Sequence, residues 1–420
     1  MTTDPVSSWL ATHAARLSTL EPSAPLDDLD FLAEVVGDAR IVGVGESAHG
    51  VHEFYLARHR ILRFLVEKLG FRAYVLESGW CEGLAVNEWV HGGAGDLADL
   101  QKSGFTYGMG ACKEMTAQLE WMRAHNRVAS PGVDYSGMDA IAALATPEPG
   151  LGPVLAYLEK VEPAAEEYFR AGVMPLVRRF ASDAPDINRY LSVPEADRHW
   201  LTLQLTDIGL LFDDRRIRYI SATNPEEYAV ARRHVALVQQ YDQLLRHFPP
   251  TPDAPAVHPF ADGRMRDRYM SENVAWILRH LGPDARIIVA AHNGHIQRQP
   301  LIAKPGDAPA IPTTLGQYLD ADWSDSYRPI GLTQRTGKIS ARPPIALGAP
   351  DEDSLAALLA RGGADLLLVD LRRWPTDGPV GKELNDVDVM RLNEDYVAVD
   401  PRRGFDAALY IDSTHPYEPL

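Results

Sequence analysis

The chain has 420 residues, 45% of them hydrophobic and 24% charged, with a formal net charge of −17. That composition is globular, and the length suits roughly two or three domains of about 150 residues, or one large α/β domain carrying an insertion. The acidic balance argues against nucleic-acid and anionic-membrane partners and suits an enzyme acting on neutral or cationic small molecules. Cys81 and Cys112 form no metal-binding spacing and read as reduced thiols. No signal peptide and no membrane-length apolar run is apparent, so the expected location is cytoplasmic.

Residues 5–20 predict a short amphipathic helix, and residues 26–36 another. Residues 40–44 predict a strand, which ends in the Gly43–Gly45 turn and leads to Glu46 and His49. Residues 51–69 then carry apolar side chains at helical spacing: Phe54, Ile61, Leu62, Leu65 and Leu69. Arg58 falls in the middle of that stripe, where a guanidinium must be buried and paired. His52, His59, Arg60, Arg63 and Glu67 fall on the opposite face, which predicts that they are solvated. Residues 72–77 form a second strand ending in Glu77, which makes a right-handed βαβ unit with parallel strands. Helices follow at 82–90 and 113–128, and a strand at 132–139 ends in Asp139.

Beyond residue 150 the pattern becomes helical, in pieces at 153–170, 173–182, 195–212 and 225–247. Pro185, Pro194 and Pro225 separate some of them. Five prolines between Pro249 and Pro259 read as a linker, and a helix covers about 264–281. The strand pattern resumes at 286–291, ending at His292, with further strands at 329–334 and 366–371. Residues 299–313 read as a long loop, 355–360 as a helix and 408–411 as an edge strand. The expected fold is α/β, a mainly parallel central sheet flanked by helices, with an all-helical insertion covering the active-site cleft. The expected units are 1–150 and 261–420 as two parts of the core, with 151–260 inserted between them.

Glu46, Glu77, Asp139 and His292 come from separate regions, and each directly follows an apolar strand. In a parallel sheet those ends share one edge, where ligands bind. Any one of the three carboxylates alone is explained as a helix cap. The four together, near a buried arginine, favour a site. His292 and His295 could bind a metal or act as acid, base or oxyanion donor. His52-Glu53 does not continue to HExxH, and no GxSxG nucleophile elbow is present. A histidine-activated water is then the simplest hydrolytic chemistry.

A set of motifs resembles the erythromycin esterase family: Gly45-Glu46-Ser47-Ala48-His49-Gly50, Glu53-Phe54, Arg58-His59, Leu69-Gly70-Phe71, Glu77-Ser78-Gly79-Trp80, Trp89-Val90-His91-Gly92, Gly137-Met138-Asp139, Arg266-Asp267 with Met270 and Asn273, and Ala291-His292-Asn293-Gly294-His295. They run in the family's order between about residues 40 and 298. The resemblance implies hydrolysis of a macrolide lactone ester by water, without an acyl-enzyme, metal or other cofactor. It implies His49 as general base, Glu46 as its orienting partner, and Arg58, His292 and His295 as the rest of the polar centre; Glu77 joins the catalytic candidates as a carboxylate partner, beside Glu46, for buried Arg58. Trp80, Tyr107, Asp139 and Asn293 are the candidates for substrate contact. The expected partner is a small-molecule substrate, and the expected state is monomer or homodimer. The alternatives are a tailoring enzyme catalysing elimination or cyclisation on the same scaffold, or a non-catalytic small-molecule binder.

Overall fold

The computed structural model describes residues 4–184, 186–247, 265–303, 306–307, 309–340 and 343–420. Their centre is a nine-stranded sheet. Across it run Ala15–Arg16, Leu366–Asp370, Ala407–Thr414, Tyr327–Ile339, Ile41–Val44, Ile287–Ala290, Ala73–Gly79 and Asp134–Asp139, with Ile345–Leu347 pairing onto Tyr327–Ile339. From Ala407–Thr414 to Asp134–Asp139 every neighbouring pair is parallel. Apolar residues pack on both faces, as a parallel sheet requires. The strands that lead to Glu46, His292, Glu77 and Asp139 are four consecutive members of this sheet, so their carboxyl ends share one edge.

Six helices follow one another between Glu148 and His247: Glu148–Val161, Pro163–Phe180, Ile187–Ser192, Glu195–Asp214, Arg216–Ala222 and Pro225–His247. The first break falls at Glu162, earlier than the apolar spacing implied, because Pro163 opens the next helix. The buried residues of these helices form one cluster with Ile41, Val75 and Val289 of the sheet. The proline-rich stretch 249–259, Pro185 and the expected helix start at residue 264 lie outside the described residues. No helix among the described residues is long and apolar enough to cross a membrane.

Several expectations need correction. Helix Pro5–His13 stops well before residue 20, because Ala15–Arg16 pairs with Leu368 and Leu367. The continuing apolar repeat serves two faces: Val6 and Leu10 pack on one side of the sheet, Leu17 and Leu20 on the other. The 408–411 segment is no edge strand. Ala407–Thr414 lies inside the sheet, and its unbroken apolar run is that of a strand covered on both faces. Within 299–313, Leu301–Ile302 and Pro309–Ile311 pair with each other and join the hairpin Val389–Leu392/Asp395–Ala398 in a four-stranded sheet. Asn393 turns that hairpin with φ 55°, a conformation asparagine tolerates.

His59 and Arg60 are buried rather than solvated. The segment before the first central strand crosses the outer face of helix His52–Leu69. Arg60 donates there to Asp28, at 2.7 Å from Nη2 to Oδ1, and to the carbonyls of Thr19 and Pro25. A face polar in sequence is thus covered by a segment that supplies acceptors. The same helix buries Phe54, Ile61, Leu62 and Leu65 against the sheet.

The turn after Ile41–Val44 is set by contact. A Cβ on Gly45 would collide with Oδ1 of Asn293, whose amide is bonded to the backbone of Leu332. Overpacking of this kind costs about 1–3 kcal/mol. Gly45→Ala should therefore lower the urea-unfolding free energy by that amount. Adding Asn293→Ala should make the two losses less than additive, because it removes the atom that is struck.

Candidate active site

The site is built around Arg58. It reaches back from helix His52–Leu69 to the end of the strand that precedes it. Its Nη1 lies 3.0 Å from Glu46 Oε2. Nε donates to the Gly45 carbonyl at 3.1 Å, and Nη2 to the carbonyls of Val44 at 3.2 Å and Ala291 at 2.7 Å. Val44 and Ala291 mark the ends of two adjacent strands, so one guanidinium ties both turns together. The other oxygen of Glu46, Oε1, lies 2.7 Å from Nδ1 of His49. Burial opposes the charge on Glu46, but Arg58 and the His49 hydrogen bond hold its pKa below the ordinary carboxylate value.

A second charged group sits beside the first. Glu77 Oε2 accepts the backbone N–H of His292 at 2.8 Å. Its Oε1 lies 2.9 Å from Nη2 of Arg266 and 3.2 Å from Nε2 of His295. Arg266 also grips Asp139, with Nε 3.0 Å from both carboxylate oxygens and Nη2 bonded to Oδ2. Asp267 Oδ1 lies 2.8 Å from His295 Nδ1 and accepts the backbone N–H of Leu315. Burial raises the cost of ionising Glu77, yet His295, His49 and Arg266 hold it well below the usual range. Burial likewise disfavours charge on His295, but Asp267 and Glu77 raise its pKa to about 10, so it is an imidazolium at neutral pH.

The two remaining histidines differ. His49 and His292 lie with ring centroids 5.1 Å apart. His292 is buried, and Nε2 donates to the Ser47 carbonyl at 3.1 Å. Desolvation, then the neighbouring His49, lowers its pKa to about 4, so it stays neutral. His49 is the open end of the network, with 45% of its side chain exposed. The protein around it disfavours the imidazolium, but the hydrogen bond and charge of Glu46, with the charge of Glu77, raise its pKa above 6.5. Of this adjacent pair, His49 is the ring that accepts a proton.

Glu46, His49, Arg58, Glu77, Asp139, His292 and His295 thus meet at one edge. Trp80 and Asn293 are buried in contacts with other parts of the chain. Trp80 is buried, with its ring 5.5 Å from that of Trp276 in an edge-on arrangement, because it opens a helix packed against the sheet. Asn293 is buried with both amide atoms on Leu332, so it latches two strands. Asp139 is spent on Arg266 and the Ala140 N–H. Tyr107 is half-exposed, stands 5.6 Å from the Arg266 guanidinium and adopts φ 58°, rare for a tyrosine.

Sequence reasoning quoted Arg266-Asp267 among the family-like motifs without giving either a role, and did not single out Asn393. Arg266 is the first residue of its helix, an end where the dipole disfavours a cation. A cation there needs carboxylates from elsewhere, and that was the available signal. Asn393 donates its N–H to the Ser47 carbonyl at 2.7 Å and braces the turn between Glu46 and His49.

Residues 66–414 match the family model described as erythromycin esterase. Erythromycin esterase type II from Escherichia coli is 24% identical over 431 aligned positions, which cover 97% of each chain. A crystal structure of a Bacillus cereus protein superposes with a TM-score of 0.83 at 25% identity, covering 100% of both chains. An erythromycin esterase mutant solved in its open conformation superposes with a TM-score of 0.80 at 22% identity, covering 97% of this chain and 98% of the other. The chain belongs to the erythromycin esterase family and is a carboxylic ester hydrolase.

Arg58→Ala leaves Glu46 buried without its cation and three carbonyls without their donor. Breaking a buried pair costs about 3–5 kcal/mol. Urea unfolding of Arg58→Ala should show a loss of that size. Arg170→Ala, which removes an exposed helix-surface pair with Glu166, should change stability by less than about 1 kcal/mol.

Proposed function

We propose that this member of the erythromycin esterase family hydrolyses the ester of a macrolide-type lactone by direct attack of water activated at His49. The observation that carries the reading is the ordered relay Arg58–Glu46–His49, ending in a half-exposed imidazole beside a histidine kept neutral. Glu46 fixes the tautomer in which Nδ1 carries hydrogen, leaving the Nε2 lone pair for water. No nucleophilic serine or cysteine is needed. Cys81 and Cys112 are buried thiols whose pKa values are raised by desolvation.

In this reading Nε2 of His49 takes a proton from water as the oxygen attacks the lactone carbonyl carbon. The carbonyl electrons move onto oxygen, and the tetrahedral oxyanion forms next to Arg266 and the His295 imidazolium. Collapse breaks the ester C–O bond, and the proton held on His49 passes to the departing alkoxide. One water is consumed, giving a carboxylic acid and an alcohol. Arg266 is suited to the oxyanion because Asp139 and Glu77 fix its plane while 32% of its side chain stays exposed. We read the centre as metal-independent from its donor set. Both oxygens of Glu46, Glu77 and Asp139 already accept from guanidinium, imidazole or backbone N–H groups. A divalent ion would have to displace one of these donors. We assign substrate choice to the helices between Glu148 and His247 and to the rim around Tyr107.

His49→Ala and His49→Asn should fold normally and lose about 10²–10⁴-fold in kcat on erythromycin, the usual contribution of a positioned base. The base acts only when neutral, and its pKa is raised. The acid limb of kcat/KM should therefore fall above pH 6.5, with activity rising as pH increases through it. In ¹⁸O-water the product should gain one labelled oxygen in its carboxylate. An unlabelled product would indicate elimination or cyclisation. Activity should survive exhaustive chelation, and loss reversed by zinc or manganese would place the chemistry on a metal.

A further inference from the structure

His49 is the half-exposed end of the esterase centre, and its main chain is fastened on both sides. On one side the Ser47 carbonyl accepts from Nε2 of His292 and from the Asn393 N–H. On the other side is Gly50, and part of what holds it comes from the far end of the chain. The Gly50 carbonyl accepts the Tyr417 N–H at 2.9 Å and the Ser340 hydroxyl. Gly50 has φ 68°, which favours glycine, and a Cβ there would stand 2.7 Å from Cε1 of the Tyr417 ring. The Tyr417 ring thus takes the space that a side chain at residue 50 would need. It also meets Tyr55, in the first turn of helix His52–Leu69, edge-on with ring centroids 6.5 Å apart.

The segment that carries Tyr417 is tied down on both sides of it. Pro416 bridges to Val51, and the His415 carbonyl accepts the His52 N–H at 2.9 Å. Glu53 accepts the His415 N–H at 2.7 Å and lies 2.7 Å from its Nδ1. Beyond Tyr417, the Glu418 carbonyl accepts the Lys113 N–H at 2.9 Å, and the Glu418 N–H donates to Glu114 at 2.9 Å. Tyr417 therefore meets Gly50 as part of a fixed surface. Gly50 is one peptide bond from His49, so the path of the chain through Gly50 sets where the imidazole sits. Its Nδ1 has to stay 2.7 Å from Oε1 of Glu46.

We propose that Tyr417 is a positioning residue for His49: its ring and its N–H pin Gly50, and through that turn they hold the imidazole at hydrogen-bond distance from Glu46. The inference rests on the reading of His49 as the base. A misplacement of about 1 Å in such a group costs up to about 10²-fold in rate.

The test compares Tyr417→Ala with Tyr417→Phe in the full-length protein. Tyr417→Ala should lose at least about ten-fold in kcat on erythromycin, with KM within about two-fold of the parent, because substrate contacts are untouched. Tyr417→Phe keeps the ring and the N–H and should retain the parental kcat. Lys113→Ala removes only the exposed ion pair with Glu418 and should leave kcat unchanged. In a His49→Ala background Tyr417→Ala should cost nothing further, because the group that it positions is gone.

NMR titration of the His49 ring reads the same contact without catalysis. Burial opposes the charge on that ring, Glu46 and Glu77 favour it, Arg58 opposes it, and neutral His292 lies beside it. The His49 pKa, above 6.5 in the parent, should fall toward that value in Tyr417→Ala and stay raised in Tyr417→Phe. Should Tyr417→Ala fail to fold, Tyr417→Leu, which keeps apolar bulk without the flat ring, carries the same measurements. The proposal is overturned by an unchanged kcat, by a His49 titration that matches the parent's, or by an equal kcat loss with and without His49. Full activity in His49→Ala overturns the base assignment instead, and the titration then decides whether Tyr417 positions His49.

Discussion

The site depends on one guanidinium that faces backbone as much as charge. Arg58 takes three main-chain carbonyls and one carboxylate oxygen, from the ends of two neighbouring strands. Carbonyls at the carboxyl ends of parallel strands run short of ladder partners and need donors; that of Val44 keeps a long bond from the Ala291 N–H, at 3.4 Å. A water would satisfy one or two and leave the turns free to move. Arg58 satisfies three and adds a charge that keeps Glu46 ionised inside the protein. The pairing that fixes the turns thus also makes Glu46 a strong acceptor for His49.

The rest of the centre follows from charge balance. Glu46, Glu77, Asp139 and Asp267 bring four negative charges; Arg58, Arg266 and protonated His295 bring three positive ones. One proton more would make the cluster neutral. His292 is sealed and already donates to the Ser47 carbonyl, so desolvation keeps it uncharged. His49, open to solvent and bonded to Glu46, is where the proton is accommodated. The negative charge that raises the His49 pKa comes from Glu46 and Glu77, and Arg58 opposes it.

Much of this was legible in the sequence because it is local. Strand, turn, Glu46, His49 and Arg58 lie within about twenty residues, and the apolar stripe of one helix is enough to bury Arg58. The shared edge of four strands was legible from where the apolar runs stop. The chain contains no comparable signal for what packs on the outside of an element. His59 and Arg60 occupy a polar face, and what buries them comes from far away in sequence: the crossing segment bonds Arg60, and the ring of Trp121 lies 5.7 Å from that of His59. Ala407–Thr414 is an ordinary apolar run whose place inside the sheet depends on partners far away in sequence. Trp80 and Asn293 sit among site residues, yet their side chains turn to the core and to Leu332. Neighbourhood in sequence carries no information about which way a side chain faces after a turn.

The two halves of the centre differ in how they are built, and this bears on how the fold accommodates its helices. Arg58, Glu46 and His49 close a short loop. Arg266 and Asp139 close a long one, since 127 positions separate them. Asp139 ends the last strand before the helical stretch, and Arg266 begins the first helix after it among the described residues. The ion pair between them is a clamp across that stretch, and Glu77 ties the clamp back to the sheet. The helices between Glu148 and His247 bury their own apolar faces against one side of the sheet. Changes on their outer surfaces need not move Arg266, because its plane is set by Asp139 and Glu77 and not by the helices. A scaffold closed in this way can alter what approaches the edge of the sheet while the charged groups along that edge keep their spacing.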